Sequence, residues 1–232
     1  MDTWAPRCDK FLIIKNGSHL EEHGDTLILP VAQESRDELW HKVVMTFKHL
    51  YENYLNHYDW FMKADDDTYV LVDSLKRFLA KHDHREPIYF GHKFAPFVGQ
   101  GYMSGGSGYV LSQEALRRLV EQGLSKKLEH CHLKEGTVED VVMGECLEAV
   151  RVKAGDTRDT RERETFLPLS PQAYFNPVHR ISWLPSYSYY HSKQNSKSIS
   201  DQPIAFHYMS PREMRYTDYL LNRVAPSLAS RG

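Results

Sequence analysis

The chain has 232 residues, 41% of them hydrophobic and 12% aromatic, enough to bury a substantial core as one domain or at most two small ones. A formal net charge of −2, with no long Lys/Arg run, argues against a predominantly electrostatic nucleic-acid binder. No apolar window reaches the ~18 residues that a membrane span needs, and Met1-Asp2-Thr3-Trp4 lacks the basic start and apolar run of a signal peptide.

Phe11-Leu12-Ile13-Ile14 reads as a short buried strand closed by an Asn16-Gly17 turn, and Thr26-Leu27-Ile28-Leu29 as a second closed by Pro30. Cys8, Cys131 and Cys146 are too few for a disulfide scaffold, and their spacing fits no zinc pattern. Asn16-Gly17-Ser18 is a glycosylation sequon, relevant only if the chain enters the secretory pathway. Ser35-Arg36-Asp37-Glu38 has capping-box spacing ahead of Leu39, Val43, Phe47, Leu50 and Tyr54 on one helical face. This helix delivers directly into an apolar strand at Trp60, and the order strand, strand, helix, strand suggests an α/β sheet with crossover helices.

Trp60-Phe61-Met62-Lys63-Ala64 suits a buried strand, but it ends in Asp65-Asp66-Asp67. Three adjacent carboxylates repel one another unless a cation sits between them. A hard divalent ion with oxygen ligands and open positions for a diphosphate fits such a strand end, although an isolated Asp-x-Asp is more often a solvated turn.

Beyond the triplet, Asp73-Ser74 can cap a helix carrying Leu75, Phe78 and Leu79, and Pro87 opens a strand over Ile88-Tyr89-Phe90-Gly91. The glycine-dense stretch from Gly99 to Gly108 leads into the strand Tyr109-Val110-Leu111, where bare backbone can approach a ligand closely. Ser112 then caps a further helix. Glu139-Asp140 would open another, with its carboxylates at the positive end of the dipole. Past Val150 the prolines break up the pattern, and Trp183, Tyr187, Tyr189 and Tyr190 form an aromatic patch suited either to core packing or to stacking on a sugar. Residues 192–200 read as a mobile loop, 204–208 as a last strand containing His207, and 221–232 as a flexible tail.

In this order, Trp-Phe-Met-Lys-Ala-Asp-Asp-Asp-Thr-Tyr at 60–69, Pro-Ile-Tyr-Phe-Gly at 87–91, Gly-Tyr-Met-Ser-Gly-Gly-Ser-Gly-Tyr-Val-Leu-Ser at 101–112, Val-Glu-Asp-Val-Val-Met-Gly at 138–144, Ala-Gly-Asp-Thr-Arg-Asp at 154–159 and Phe-His-Tyr at 206–208 resemble the core 1 β1,3-galactosyltransferases, relatives of the Fringe enzymes. The resemblance implies a GT-A fold, a single Rossmann-like α/β domain, and metal-dependent inverting transfer of galactose from UDP-galactose to the 3-hydroxyl of GalNAc on Ser or Thr of a glycoprotein. It assigns Mn²⁺ to Asp67 and His207 with Asp65, and the donor to Asp65, Asp66, Gly105 and Gly106. It assigns the base to Asp140, with Glu139 in reserve, and the acceptor side to Trp183 with Tyr187 or Tyr189.

By the same resemblance Cys131 and Cys146 form a disulfide, and the enzyme works in the Golgi lumen as a type II membrane protein when full-length. Family members carry a tail, an anchor helix, a stem and one further strand before the Thr3-Trp4 position, so Cys8 is expected to find its partner upstream. Adjacent cysteines that the family often carries before Phe-His-Tyr are replaced in the region of Ser198-Ile199-Ser200. A Fringe-like enzyme with another sugar pair and an inactive, chaperone-like paralogue are the competing readings, and a homodimer stays open.

Overall fold

The computed structural model describes residues 3–31, 35, 38–132, 138–176, 181–191 and 195–225. Three strands come first, β1 (Ile13–Asn16), β2 (Glu21–His23) and β3 (Thr26–Leu29), in spatial order β1-β3-β2, with β1 parallel and β2 antiparallel to β3. The first strand runs two residues later than its apolar letters suggest, because its register follows β3: Ile14 pairs with Leu27 and Asn16 with Leu29, and both leucines are wholly buried. Asn16 therefore ends the strand instead of opening the turn. The polar strand β2 has no apolar signal. It is held through Glu22, whose carboxylate takes hydrogen bonds from His49, at 2.6 Å, and from Tyr54.

Helix α1 (Leu39–Tyr54) buries Val43 and Phe47 of the face that its periodicity predicts, leaves Leu39, Leu50 and Tyr54 half-buried, and adds Trp40, which that face did not include. The Glu38 N–H donates to Ser35 Oγ at 3.3 Å, while Arg36 and Asp37 of the proposed box lie outside the described residues. Strand β4 (Trp60–Lys63), strand β5 (Tyr69–Val70) and helix α2 (Val72–Leu79) follow. Helix α2 starts at Val72 rather than behind an Asp73 or Ser74 cap. The Leu71 N–H donates to Ile204 O and draws that turn onto the carboxyl-terminal part of the chain.

Next come β6 (Ile88–Gly91), β7 (Lys93–Phe94), β8 (Tyr102–Met103), β9 (Tyr109–Ser112), α3 (Gln113–Arg118) and α4 (Glu139–Ala149). Ser112 caps α3 as expected, accepting from the Ala115 N–H at 3.0 Å. Strands β10 (Lys153–Ala154) and β11 (Phe166–Leu167), short helices α5 (Pro171–Phe175) and α6 (Leu184–Tyr187), strand β12 (Ala205–Phe206) and helix α7 (Pro211–Tyr219) complete the order. Residues 192–194 and 226–232 of the proposed loop and tail lie outside the described residues. Ser196–Ser198 forms a single 3₁₀ turn capped by Asn195, and Leu220–Val224 a π turn.

The central sheet has order β10-β6-β9-β4, with β10 parallel to β6 and β9 antiparallel to both β6 and β4. Its two faces are legible in the alternation of side chains. Tyr89 and Leu111 pack with Phe61 beneath α1, α3 and α4, while Phe90 and Val110 pack with Leu75, Phe166 and Ala205 on the opposite side. Strand β4 is the sheet's edge, so only Phe61 of its apolar letters is fully buried; Trp60 and Met62 are half-buried, a correction to the expectation of a buried strand. No helix among the described residues is long and apolar enough to cross a membrane.

Two local devices matter for the site. Cys131 and Cys146 are bonded to each other, and a β-carbon on Gly123 would lie 2.9 Å from both sulfurs. Gly108 turns the chain into β9 at φ +76°, close against the Lys63 carbonyl, where a side chain would be both strained and obstructed.

Candidate active site

The carboxylate triplet sits in the turn between β4 and β5. Thr68 knots this turn: its N–H donates to Asp65 O, while its hydroxyl accepts from the Asp65 N–H at 3.1 Å and donates to Gly106 O at 2.7 Å. From behind, the Trp4 indole N–H donates to Thr68 O at 2.9 Å. The turn is thereby fixed both to the body of the fold and to the glycine segment.

Strand β12 pairs antiparallel with β5, Phe206 opposite Tyr69, so the residue after it, His207, arrives beside the triplet. His207 Nε2 is 3.3 Å from Asp67 Oδ1, and its Nδ1 faces Pro168 O at 3.3 Å. Asp65, Asp67 and His207 each offer a donor atom, all within 4.8 Å of one another. Two carboxylate oxygens and an imidazole nitrogen form a set suited to a divalent cation. Burial pushes the Asp67 carboxyl above its ordinary range, His207 opposes this, and the charges of Asp65 and Asp66 add to it. A cation would relieve that repulsion. Asp66 itself is exposed and lies outside the cluster.

Gly105 and Gly106 form the wall between this cluster and the start of α4. A β-carbon on Gly106 would overlap the His207 ring. The Gly105 N–H donates to Asp140 Oδ2 at 2.9 Å, and the Val141 N–H donates to Asp140 Oδ1 at 3.0 Å, within the first turn of α4. Burial raises the Asp140 carboxyl, and the hydrogen bond from Gly105 counteracts it.

The neighbouring Glu139 is enclosed, 5% exposed, and takes the Tyr109 hydroxyl at 2.5 Å. Burial pushes its carboxyl up to about 7 in spite of Lys63 nearby. Asp140, by contrast, keeps partial exposure.

The aromatic residues assemble on the other side of α4. Phe94 of β7 packs edge-on against Tyr102, Trp183 and Tyr187, and Trp183 packs edge-on against Tyr187. The Tyr102 hydroxyl is raised first by burial, then by the nearby Asp140 charge and its contact with Tyr187. Trp183 and Tyr189 are about half exposed, at 44% and 42%, and Tyr189 covers the Lys93 ammonium at 4.6 Å.

Asn16 lies apart from all of this, with its carboxamide oxygen buried. Cys8 is a half-buried free thiol, raised by burial. Sequence reasoning passed over Lys63, Thr68 and Tyr109 as supports. The signal available for Lys63 was a cation two residues before Asp65, a spacing that puts both side chains on one face of an extended chain.

A family model described as Fringe-like matches residues 29–210. The chain is 42% identical over 223 residues to glycoprotein-N-acetylgalactosamine 3-beta-galactosyltransferase 1 of Xenopus laevis, covering 95% of this chain and 60% of that protein. It is 34% identical over 116 residues to human chondroitin sulfate synthase 3, covering 46% of this chain and 13% of that one. It is 31% identical over 108 residues to the beta-1,3-glucosyltransferase of Mus musculus, covering 44% and 21%. The chain thus spans only 60% of the length of the Xenopus protein and less of the other two.

Proposed function

The chain belongs to the Fringe-like family, and from that premise we propose that it is an inverting glycosyltransferase moving galactose from UDP-galactose to the 3-hydroxyl of GalNAc α-linked to Ser or Thr. The observation that carries the reading is the Gly105–Gly106 wall, with a metal-competent trio against one side and a helix-borne carboxylate hydrogen-bonded to the other. Asp65, Asp67 and His207 would hold the ion, which when bound neutralises charge developing on a diphosphate leaving group.

Asp140 receives the proton of the acceptor hydroxyl as that oxygen forms its bond to the anomeric carbon and the bond to UDP breaks. A carboxylate is a weak base toward an alcohol, so proton transfer follows the onset of attack. Trp183, Tyr187 and Tyr189 line the acceptor side, where apolar ring faces suit a sugar. The Cys131–Cys146 bond accords with an oxidising compartment, and we place the enzyme in the Golgi lumen.

A second reading keeps the site and changes the sugars. It draws on the partial matches to a chondroitin synthase and a glucosyltransferase, since one metal trio and one base serve any β1,3 transfer. The test is transfer of labelled galactose from UDP-galactose to a GalNAc-α-Thr peptide with Mn²⁺ and with a chelator. A chelator-sensitive β1,3 product supports the first reading. Product only from another donor or acceptor selects the second.

A further inference from the structure

Between the metal-side carboxylate and the base lies a buried cation to which neither role assigns a function. Lys63 ends β4 with its side chain 13% exposed, although it belongs to an edge strand from which a lysine can readily reach water. Its ammonium lies 2.6 Å from Asp65 Oδ1, 3.1 Å from Gly105 O and 3.8 Å from Glu139 Oε2. Burying an ammonium is costly unless it is paired, and here Asp65 and Gly105 O lie within hydrogen-bond reach while Glu139 adds a second, longer ion-pair contact.

What those acceptors connect to matters more than their number. Asp65 belongs to the metal-competent trio, and Gly105 gives its N–H to Asp140. The chain of contacts is therefore Asp65, Lys63, Gly105, Asp140, with the ammonium as its middle joint. The joint is also tightly packed: a β-carbon on Gly105 would lie 3.1 Å from Glu139 Oε2 and 3.4 Å from Lys63 Nζ. Thr68 makes a parallel tie to Gly106, so residues on both flanks of the triplet grip adjacent carbonyls of one segment.

We propose that Lys63 is a positioning residue that sets the separation between the metal-side carboxylate and the base, so that donor and acceptor hydroxyl are presented to each other at one fixed spacing. The inference rests on the proposed function and deepens it. Lys63 touches no reacting atom in this scheme; it acts through Asp65 and Gly105. A lysine that served only to offset the Glu139 charge would contribute to folding and not to turnover.

The test compares Lys63→Met, which keeps the stem and removes the charge, with Lys63→Arg, which keeps a cation able to reach both acceptors. Mn²⁺ binding is followed by loss of the free aqua-ion signal in electron paramagnetic resonance. Amide exchange over residues 104–108 reports the hold on Gly105.

For Lys63→Met, kcat should fall about 30-fold or more while donor KM and Mn²⁺ affinity stay within about threefold, and exchange at 104–108 should accelerate. Lys63→Arg should recover kcat to within about fivefold of the wild type. Wild-type kcat in a folded Lys63→Met, or a joint collapse of kcat, KM and Mn²⁺ binding, overturns the proposal. If Lys63→Met does not fold, Lys63→Gln takes its place under the same criteria; failure of both beside a fully active Lys63→Arg makes the residue structural only and overturns it too. The wild type separates this inference from the functional reading. A wild-type chain that transfers no sugar sinks the activity, whereas a wild type and a Lys63→Met that transfer equally sink only the role of Lys63.

Discussion

Gly106 and His207 are packed so closely that a β-carbon on the glycine would occupy the imidazole's place. The backbone at Gly106 is not in the left-handed region, so what alanine meets there first is the imidazole ring and not backbone strain. Gly106→Ala should fold, push His207 away from Asp67 and lower Mn²⁺ affinity about tenfold or more, measured by titration against the aqua-ion signal. Unchanged affinity would remove His207 from the trio.

Asp140→Asn keeps an oxygen able to accept the Gly105 N–H and loses the capacity to take a proton. Its kcat should fall by about 100-fold or more with UDP-galactose binding nearly unchanged, read from steady-state kinetics beside calorimetric titration of the donor. Normal turnover would sink the assignment of the base.

Glu139 titrates against stability. Its native carboxyl lies at about 7 against an ordinary 4.5, so between those values the folded chain holds a proton that the unfolded chain releases. Its contribution is fully present below about 4.5 and is lost as pH rises through about 7, an effect of up to about 3 kcal/mol. Urea unfolding at pH 5 and pH 7.5 should show wild type losing more stability with rising pH than Glu139→Gln. Parallel pH profiles for the two proteins would contradict the burial argument.

The Cys131–Cys146 bond closes a separation of 15 residues, for which chain entropy gives about 3 kcal/mol. The double alanine variant should lose about 2–4 kcal/mol in denaturant titration, and reductant should destabilise the wild type by a similar amount and leave the variant unaffected. A midpoint insensitive to reductant would mean that the bond is not formed in solution.

Much of the fold was legible because periodicity and burial agree in it. Val43 and Phe47 on α1 and Tyr89 with Leu111 in the central sheet are apolar at the period of their element. Strand β2 was not legible, since Glu21-Glu22-His23 is held by a tertiary bond from Glu22 to His49 and Tyr54 that no local pattern announces.

The candidate site divides in the same way. The triplet, the paired glycines and Glu139-Asp140 stood out as motifs, but their meeting depends on long-range bonds from Thr68 to Gly106 and from Gly105 to Asp140, and the arrival of His207 depends on β12 lying against β5. Which carboxylate of the Glu-Asp pair stays accessible was also invisible, because it depends on the Tyr109 hydroxyl capturing Glu139.

Helix α4 carries Glu139 and Asp140 in its first turn, yet its covalent tie enters farther along, at Cys146, and the Trp40 indole holds the other half of that bond through Cys131 O at 3.1 Å. The helix is thus fastened from its interior, past its first turn. The arrangement of the first-turn carboxylates is thereby tied to the oxidation state of a sulfur pair whose helical member lies about two turns away.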